Sequence, residues 1–441
     1  MKRIGVYWFT HDLRVNDNQL LHKAAQEVDE LICVYCVPKV GAYLQRFSQQ
    51  SQLSSARQHF LHQSVHDLAL SLKRYDQTLL VIERSPITVL KHLIEAHHVT
   101  HLYCDQFAGY DEQQVCQHLA QDYPSVSVSQ LPNNTLFDES QLPCQLHHLP
   151  STFSQFRREV ESLEIMLPCS RPVQLPPPEP VPLSSVHLSL SNTEHTLFKG
   201  GEQAAIAHCQ HYFSTQAASC YKETRNALDE PLSSTKFSPW LALGCVSPKT
   251  IIAMLRHYEQ QHGQNESTYW IQFELLWREY FYWYARCYQT KLFQFAGISK
   301  HRPLTSFYAS RFRQWQQGHT PYPIVNACMK QLNATGYMSN RGRQLVASCL
   351  IHELQLDWRY GAAYFETQLI DYDVASNWGN WQYLAGVGAD QRGSRQFNLD
   401  KQTEMYDPKQ SFINCWQGNT TTTSIDHVDM ADWPIMPKEK S

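Results

Sequence analysis

The first 130 residues alternate short apolar runs with amphipathic segments, and this alternation restricts the fold more than any other feature of the chain. The apolar runs have the length and composition of buried strands, and they are Ile4–Phe9, Leu31–Pro38, Leu79–Ile82 and Val99–Cys104. Ser54–Leu72 and Ile87–His97 have the apolar spacing of helices. Such alternation predicts a parallel sheet with helices on both faces, a Rossmann-like α/β domain. No GxGxxG motif occurs in it, so a dinucleotide is not indicated here.

The rest of the chain has a different character. Seven prolines between Pro168 and Pro182 predict that residues 131–200 form an extended linker between domains. Residues 201–415 read as an all-helical domain, with long helices at Tyr269–Tyr288, Pro323–Thr335, Arg341–Leu354 and Tyr360–Leu369. Residues 416–441 are polar and are expected to form a weakly ordered tail. A chain of 441 residues is longer than one hydrophobic core usually serves, which agrees with two domains.

Charge and cysteine usage narrow the class of protein. The net charge of −4 argues against a generally basic DNA-coating protein, but residues 301–350 contain six Lys or Arg and no Asp or Glu. That stretch can be a local face for a polyanion or simply a solvated helix face. Thirteen scattered cysteines predict reduced thiols, and no spacing suits a metal site. With no run long enough for a signal peptide or a membrane span, we expect a soluble, cytoplasmic protein.

The abundant aromatic residues have two readings. The chain contains 11 Trp and 23 Tyr, and aromatics make up 12% of it. Such rings can fill a large core, or they can stack on flat cofactors and on nucleic-acid bases.

A hydroxyl-rich string suits phosphate binding. Ser233–Ser238 supplies hydroxyls and Lys236 directly before a predicted helix, where backbone N–H groups and positive charge attract phosphate. The plain alternative is a capped helix, with Ser238 as N-cap and Pro239 at the first helical position. That alternative explains Ser238 but not the rest of the string.

One helix face carries a carboxylate, an indole and a guanidinium. Glu274, Trp277, Arg278 and Phe281 are spaced to lie together on it. This combination suits a damaged base, which needs stacking together with hydrogen-bond partners. The alternative is an ordinary intrahelical Glu274–Arg278 pair.

Two further groups of polar residues are also candidates for a binding site. Asn340, Arg343 and Gln344 share a face at the start of another predicted helix. Asp371 and Asp373 lie in an apolar setting, where a carboxylate must accept strong hydrogen bonds. The edge of a flavin ring offers such a donor, whereas the alternative is helix N-capping by Asp.

Several of these segments, in order and spacing, resemble the photolyase/cryptochrome family, and most closely its DASH branch. The segments are the opening Trp8–Asn18, the strings Tyr-Lys-Glu-Thr-Arg-Asn (221–226) and Ser233–Cys245, Gly-Tyr-Met-Ser-Asn-Arg-Gly-Arg-Gln (336–344) and Asp-Tyr-Asp-Val-Ala-Ser-Asn-Trp-Gly-Asn-Trp (371–381). The resemblance covers roughly residues 4–415 and implies FAD as cofactor. The FAD-binding residues that it implies are Tyr221, Ser234, Thr235, Lys236, Phe237, Ser238, Arg278, Asn340, Arg343, Asp371, Asp373 and Asn377.

The resemblance also implies UV-damaged DNA as partner. Its DNA- and lesion-binding positions correspond to Arg225, Glu274, Trp277, Arg278, Arg341, Gln344, Tyr383 and Gln402. The catalytic positions correspond to Glu274, Asn340 and Asn377, with Trp381, Trp358 and Trp315 as electron-relay tryptophans. By spacing alone, three tryptophans would be assigned to the core. Relatives that repair (6-4) photoproducts carry His at positions 340 and 344, so that chemistry is not implied here.

Antenna binding follows less directly from the resemblance. The family glutamate that binds a folate antenna, 5,10-methenyltetrahydrofolate, belongs near position 111, where this chain has Asp111 and Glu112. The end of the chain after Trp416 also departs from the family pattern.

The expectation is a blue-light-dependent enzyme, a carbon–carbon lyase that splits cyclobutane pyrimidine dimers by electron transfer from excited reduced FAD. Tyr383 stands where photolyases active on duplexes carry a second Trp, which predicts a preference for single-stranded DNA. We expect the protein to act as a monomer. Two alternatives stay open at the level of sequence. They are a photoreceptor that binds FAD and signals without repair, and a flavin-free nucleotide-binding protein.

Overall fold

The computed structural model describes residues 2–189, 197–299, 302–389 and 395–420. Most of the predicted weakly ordered tail, residues 421–441, lies outside the described residues. The start of that tail is packed against the helical domain: the Trp416 indole donates to Asp229 at 3.1 Å, and Lys330 donates to the carbonyl of Gln417 at 2.8 Å.

The first domain is built on a parallel sheet of five strands in the order β3-β2-β1-β4-β5. The strands are β1 (Ile4–Phe9), β2 (Glu30–Cys36), β3 (Leu79–Ile82), β4 (His101–Asp105) and β5 (Ser127–Leu131). The predicted parallel α/β architecture is therefore confirmed. Sequence patterning missed β5, because this edge strand reads Ser-Val-Ser-Gln-Leu and only its central Ser129 is buried. The strand order changes direction at β1, between β2 and β4.

Among the described residues, six helices belong to the first part of the chain and the others to the second part. Those of the first part are α1 (Gln19–Glu27), α2 (Ala42–Ser48), α3 (Ser55–Lys73), α4 (Pro86–His97), α5 (Tyr110–Asp122) and α6 (Phe153–Val160). Those of the second part are α7 (Glu202–Phe213), α8 (Tyr221–Thr224), α9 (Ser238–Ala242), α10 (Pro248–His262), α11 (Glu266–Tyr288), α12 (Ala309–Gln317), α13 (Pro323–Thr335), α14 (Asn340–Ser348), α15 (Trp358–Gln368), α16 (Val374–Leu384), α17 (Leu399–Tyr406) and α18 (Ser411–Cys415). Of the first set, α2 and α6 pack on helices of the second part. Short 3₁₀ turns lie at Glu139–Gln141, Leu146–His148, Gln216–Cys220 and Gln289–Phe293, and one π turn at Cys349–Glu353.

The predicted linker is only partly extended. It contains α6, which Thr152 caps by accepting a hydrogen bond from the Gln155 amide. Beyond α6, the chain from 161 to 189 runs without regular helix and follows the edge of the sheet. The amide of Val186 donates to the Val81 carbonyl of β3 at 2.8 Å, and Leu31 pairs with Pro178. The linker thus covers part of an edge strand that would otherwise present unpaired backbone groups.

Buried polar contacts join the two domains. Arg14, 1% exposed, follows β1 and donates to the Gly244 carbonyl at 2.9 Å and to Asn134 at 2.8 Å. Glu279 of α11 accepts hydrogen bonds from the amides of Leu136 and Phe137, which follow β5. The loops at the carboxyl ends of the strands are therefore fixed against the helical domain. Among the described residues, no helix is long and apolar enough to cross a membrane.

Candidate functional site

A cavity of about 510 Å³ opens in the helical domain between α8, α9, α11, α14 and α16. It brings together most of the predicted site residues. Those that line it are Tyr221, Arg225, Thr235, Phe237, Ser238, Glu274, Trp277, Arg278, Asn340, Arg343, Gln344, Asp371, Asp373 and Tyr383. Segments separated by more than a hundred residues along the chain thus line one continuous cavity.

Other predicted site residues lie outside this cavity. Lys236, with a positive φ of 48°, reaches over the Tyr337 ring at 5.4 Å. Arg341 donates to Asn226 at 3.0 Å and lies over the Tyr406 ring at 4.8 Å. Asn377 is buried, and its amide donates to the Ala362 carbonyl at 3.0 Å. The remaining predicted residues outside the cavity lining are Ser234, Gln402, Trp315, Trp358 and Trp381, together with the antenna candidates Asp111 and Glu112.

The polar end of the cavity centres on Asp371. One carboxylate oxygen pairs with Arg343 at 2.7 Å, and the other, Oδ1, is buried without a hydrogen-bond partner among the described residues. A buried acceptor left without a donor is costly, so this oxygen is positioned for a ligand that carries an N–H. Hydroxyls of Thr235 and Ser238 line the same cavity. The residues present therefore fit the ring donor and the phosphates of FAD.

The ends of α9 and α16 test the two N-cap alternatives, which concern Ser238 and the Asp371/Asp373 pair. Asp373 does cap α16, accepting from the Ser376 amide at 2.7 Å, and it lines the cavity as well. Asp371 lies before the cap and plays no such part. Ser238 is the first residue of α9 and Phe237 precedes it, so the assignment of Ser238 as N-cap was wrong by one position.

The aromatic end of the cavity is formed by Trp277 and Tyr383, whose rings meet edge to face at 5.9 Å. Phe153 of α6 stacks on Trp277 with ring centroids 3.8 Å apart and planes inclined by 14°. Arg395 lies over the Tyr383 ring at 4.5 Å. This end offers flat surfaces and a cation, which suit the bases and backbone of a nucleic acid.

Glu274 lies beside these rings and forms an ion pair with Arg225. The alternative pair within the helix does not form, because the Arg278 guanidinium donates to the carbonyls of Asn134 and Leu241 instead. Burial raises the pKa of Glu274, and the Arg225 charge acts in the opposite direction. Arg225 in turn lies over the Trp270 ring at 4.5 Å, which holds the guanidinium at the cavity wall.

The three predicted relay tryptophans are all buried, with at most 3% of their surface exposed. Trp381 and Trp315 are in contact, with ring centroids 6.2 Å apart. Trp358 contacts Trp378 at 5.8 Å. Trp381 also packs directly on α15, because a Cβ added at Gly361 would lie 2.2 Å from the indole.

The two antenna candidates differ in environment. Asp111 is exposed, whereas burial raises the pKa of Glu112 to about 7, with Asp111 and Glu366 adding to the effect. Since Glu366 belongs to α15, the Glu112 carboxyl lies near the helical domain. Arg57, which lies over the Tyr372 ring at 4.6 Å, is the cation whose charge acts on Glu366 there.

Sequence reasoning missed several residues that line the cavity, among them Trp270, Phe273, Asn380, Arg395 and Phe397. Trp270 and Phe273 lie one turn before Glu274 and Trp277, so the helical spacing that found the latter pair could have found them. Arg395 and Phe397 precede α17 in irregular chain and carry no periodic signal.

At least three of the six basic residues in the stretch 301–350 are held in contacts within the protein. Arg311 is buried and donates to the Leu354 carbonyl, and Arg343 pairs with Asp371. Lys330 donates to the backbone of Gln417.

Two family models match the chain. A family model described as DNA photolyase matches residues 5–180, and one described as the FAD binding domain of DNA photolyase matches residues 270–438. The chain is 58% identical to a protein named cryptochrome DASH from Vibrio parahaemolyticus, over 100% of this chain and 99% of that protein. A protein of the same name from Synechocystis sp. is 38% identical over 93% and 86% of the two chains.

Two solved structures extend the likeness to the fold. A cryptochrome from Synechocystis sp. superimposes with a TM-score of 0.86 and 37% identity, covering 94% of this chain and 89% of that one. A class III photolyase from Agrobacterium tumefaciens has a TM-score of 0.79 and 25% identity, covering 94% and 86%.

Proposed function

Since the chain belongs to the photolyase/cryptochrome family and matches proteins named cryptochrome DASH along its whole length, we propose that it repairs cyclobutane pyrimidine dimers in DNA under blue light, preferentially in single strands. The observation that carries the proposal is the shared cavity. The polar residues that fit a flavin and the residues that suit a damaged base line the same space.

FAD, when bound, supplies the light absorption and the transferable electron. The protein's part is to bind and orient. Asp371 would accept a hydrogen bond from the flavin ring through its free oxygen, while Arg343 holds the other oxygen in place. Thr235 and Ser238 would hold phosphate, and Asn377, fixed by Ala362, is the predicted neighbour of the ring.

The lesion would lie against Trp277 and Tyr383, because stacked bases need flat apolar surfaces. Glu274 and Asn340 line the same cavity and can accept from and donate to the polar edges of the bases. Arg225, already paired with Glu274, would reach a DNA phosphate beside them.

Preference for single strands follows from the cost of flipping. Extruding a dimer from a duplex costs a few kcal/mol, which pocket contacts must offset. Base–aromatic stacking contributes about 1–3 kcal/mol per base, and here one of the two rings is the smaller Tyr383. In a single strand most of that cost vanishes.

A folate antenna is the further cofactor that we propose, with Glu112 as its binding carboxyl. Support comes from the position of this carboxyl near Glu366 of the helical domain, where burial raises its pKa to about 7. A carboxyl held in such a place suits a ligand that offers N–H groups.

The test uses the FAD-loaded protein and one defined dimer placed in a single strand, in a duplex and in a mismatched bubble. Light-dependent repair should be fast in the single strand and in the bubble, and at least tenfold slower in the intact duplex. Equal rates in duplex and single strand would refute the strand preference. An FAD-loaded protein that responds to light and repairs none of the substrates would instead be the signalling photoreceptor.

A further inference from the structure

We propose that Phe153 of α6 is a positioning residue for lesion binding, which sets the plane of the Trp277 ring against which the dimer lies. The inference rests on the proposed function and deepens it, because it adds the predicted linker to the residues that form the lesion site.

The stacking of Phe153 on Trp277 is close and nearly parallel, with centroids 3.8 Å apart and an inclination of 14°. Phe153 is itself fixed: it is 4% exposed, and its ring meets Phe273 edge to face at 5.2 Å. It is the first residue of α6, directly after the capping Thr152. The cap and the packing therefore define where the phenyl ring lies.

Phe153 leaves the indole little freedom. It covers one face of Trp277, while Phe281 lies at 5.5 Å with an inclination of 30° and Tyr383 meets the ring edge to face at 5.9 Å. An incoming base can contact only the part of the indole that these rings leave open toward the cavity. Removing the phenyl group would open space behind the indole and let it tilt away from Tyr383.

The chain offers a matched control on the same helix. Phe156 is 1% exposed and lies on the same buried face of α6, but its ring contact is with Tyr280 at 5.3 Å. Truncation of either phenylalanine removes a buried ring and destabilises α6. Phe153 contacts the Trp277 indole directly, whereas Phe156 reaches it only through Tyr280, whose ring meets the indole edge to face at 6.2 Å. Loss of the directly stacked ring should therefore disturb Trp277 far more than loss of Phe156.

The test measures binding of a dimer-containing single strand to FAD-loaded protein in the dark, together with repair at saturating substrate. Phe153→Ala should weaken binding about tenfold, which corresponds to about 1.4 kcal/mol. The repair rate at saturation should stay within a factor of two, since the loss of a contact that serves only binding raises KM and leaves kcat unchanged. Phe153→Tyr should restore affinity, and Phe156→Ala should bind like the wild type despite lower stability.

A double variant decides whether Phe153 acts through Trp277. In a Trp277→Ala background, Phe153→Ala should weaken binding no further. Additive losses, wild-type affinity of Phe153→Ala, or equal losses in Phe156→Ala would each overturn the inference. If Phe153→Ala does not fold, Phe153→Leu, which keeps volume but loses the flat ring, should still weaken binding severalfold, and unchanged affinity there would overturn it too. Failure of the wild type itself to bind or repair the dimer would refute the proposed function instead.

Discussion

Ionisation of the Glu112 carboxyl should have a large effect on how the free energy of unfolding depends on pH. Burial raises its pKa to about 7, so the folded protein keeps a proton that the unfolded chain has already released. Its contribution to stability is therefore complete at low pH and is lost as the pH rises toward and through 7. Glu112→Gln cannot ionise. The difference in unfolding free energy between this variant and the wild type should grow by on the order of 2 kcal/mol between pH 5 and pH 8.

Urea unfolding at the two pH values measures this difference. Gln117→Ala, a change of an exposed side chain on the same helix, is the control and should show no such growth, because neither side chain ionises. A difference that stays constant with pH would mean that Glu112 is ionised in the folded protein at pH 5.

At the residue scale, spacing along one helix was enough to place Glu274, Trp277 and Arg278 on a common face. That spacing could not predict which side chains from other segments contact these three residues. Arg225 directly follows α8, and Phe153 belongs to the predicted linker. Contacts across such separations depend on the tertiary fold. The orphan oxygen of Asp371 is likewise a property of its surroundings, since the sequence predicts a buried carboxylate but not which oxygen Arg343 leaves free.

At the scale of elements, α15 and α16 approach so closely at Gly361 that the Trp381 indole is held in one position. The proposed relay runs from Trp381, and its other members, Trp358 and Trp315, lie on α15 and α12. Trp381→Phe should slow photoreduction of bound oxidised FAD by an external reductant at least tenfold while leaving flavin bound. Chemically pre-reduced protein should repair normally, because the relay serves only the preceding reduction.

Trp240→Phe is the control, since that tryptophan is equally buried but packs on Phe60 and Phe198. Trp315→Phe and Trp378→Phe then compare the two tryptophan contacts seen in the structure. Photoreduction at the normal rate in Trp381→Phe would show that the relay is assigned wrongly.

The elements themselves were predictable where periodicity was long. α11 and α13 occupy Glu266–Tyr288 and Pro323–Thr335, against predictions of Tyr269–Tyr288 and Pro323–Thr335. α6 was missed because eight residues beside a proline-rich stretch give too short a pattern. The helix predicted at Arg341–Leu354 instead ends at Ser348 and continues as a π turn, a change of hydrogen bonding that apolar spacing does not reveal.

At the scale of the whole molecule, Arg14 connects the domains. It is almost fully buried, and it donates to the Gly244 carbonyl of the helical domain and to Asn134, which follows β5 at the start of the predicted linker. Arg14→Met keeps much of the volume but leaves buried acceptors without donors, which costs about 1–3 kcal/mol for each unsatisfied group. We expect wild-type protein to unfold in one transition and Arg14→Met to unfold at lower urea, with flavin release before loss of sheet signal.

Flavin fluorescence and far-UV circular dichroism, followed together, separate the two events. Arg3→Met is the control, because Arg3 makes an exposed ion pair with Asp29, and surface ion pairs contribute little to stability. Coincident transitions in Arg14→Met would show that other contacts hold the domains together.

The two-domain organisation was predictable from the change in periodicity, but the docking of the domains was not. In many parallel sheets the crevice at the change of strand order receives a ligand. Here the loops after β1 and β5 dock on the helical domain through Arg14 and Glu279. The alternation of strands and helices in the sequence does not predict that these loops contact the helical domain.

The linker that pairs with β3 and β2 has a consequence for synthesis. Domains generally fold in order from the amino terminus as the chain is made. The sheet is complete once β5 has emerged, yet its β3 edge stays bare until Val186 arrives to donate to Val81. During that interval the nascent chain exposes a template for mispairing with neighbouring chains. The linker therefore covers the β3 edge only late in synthesis. The time between the synthesis of β5 and that of Val186 sets how long the nascent chain is exposed to aggregation.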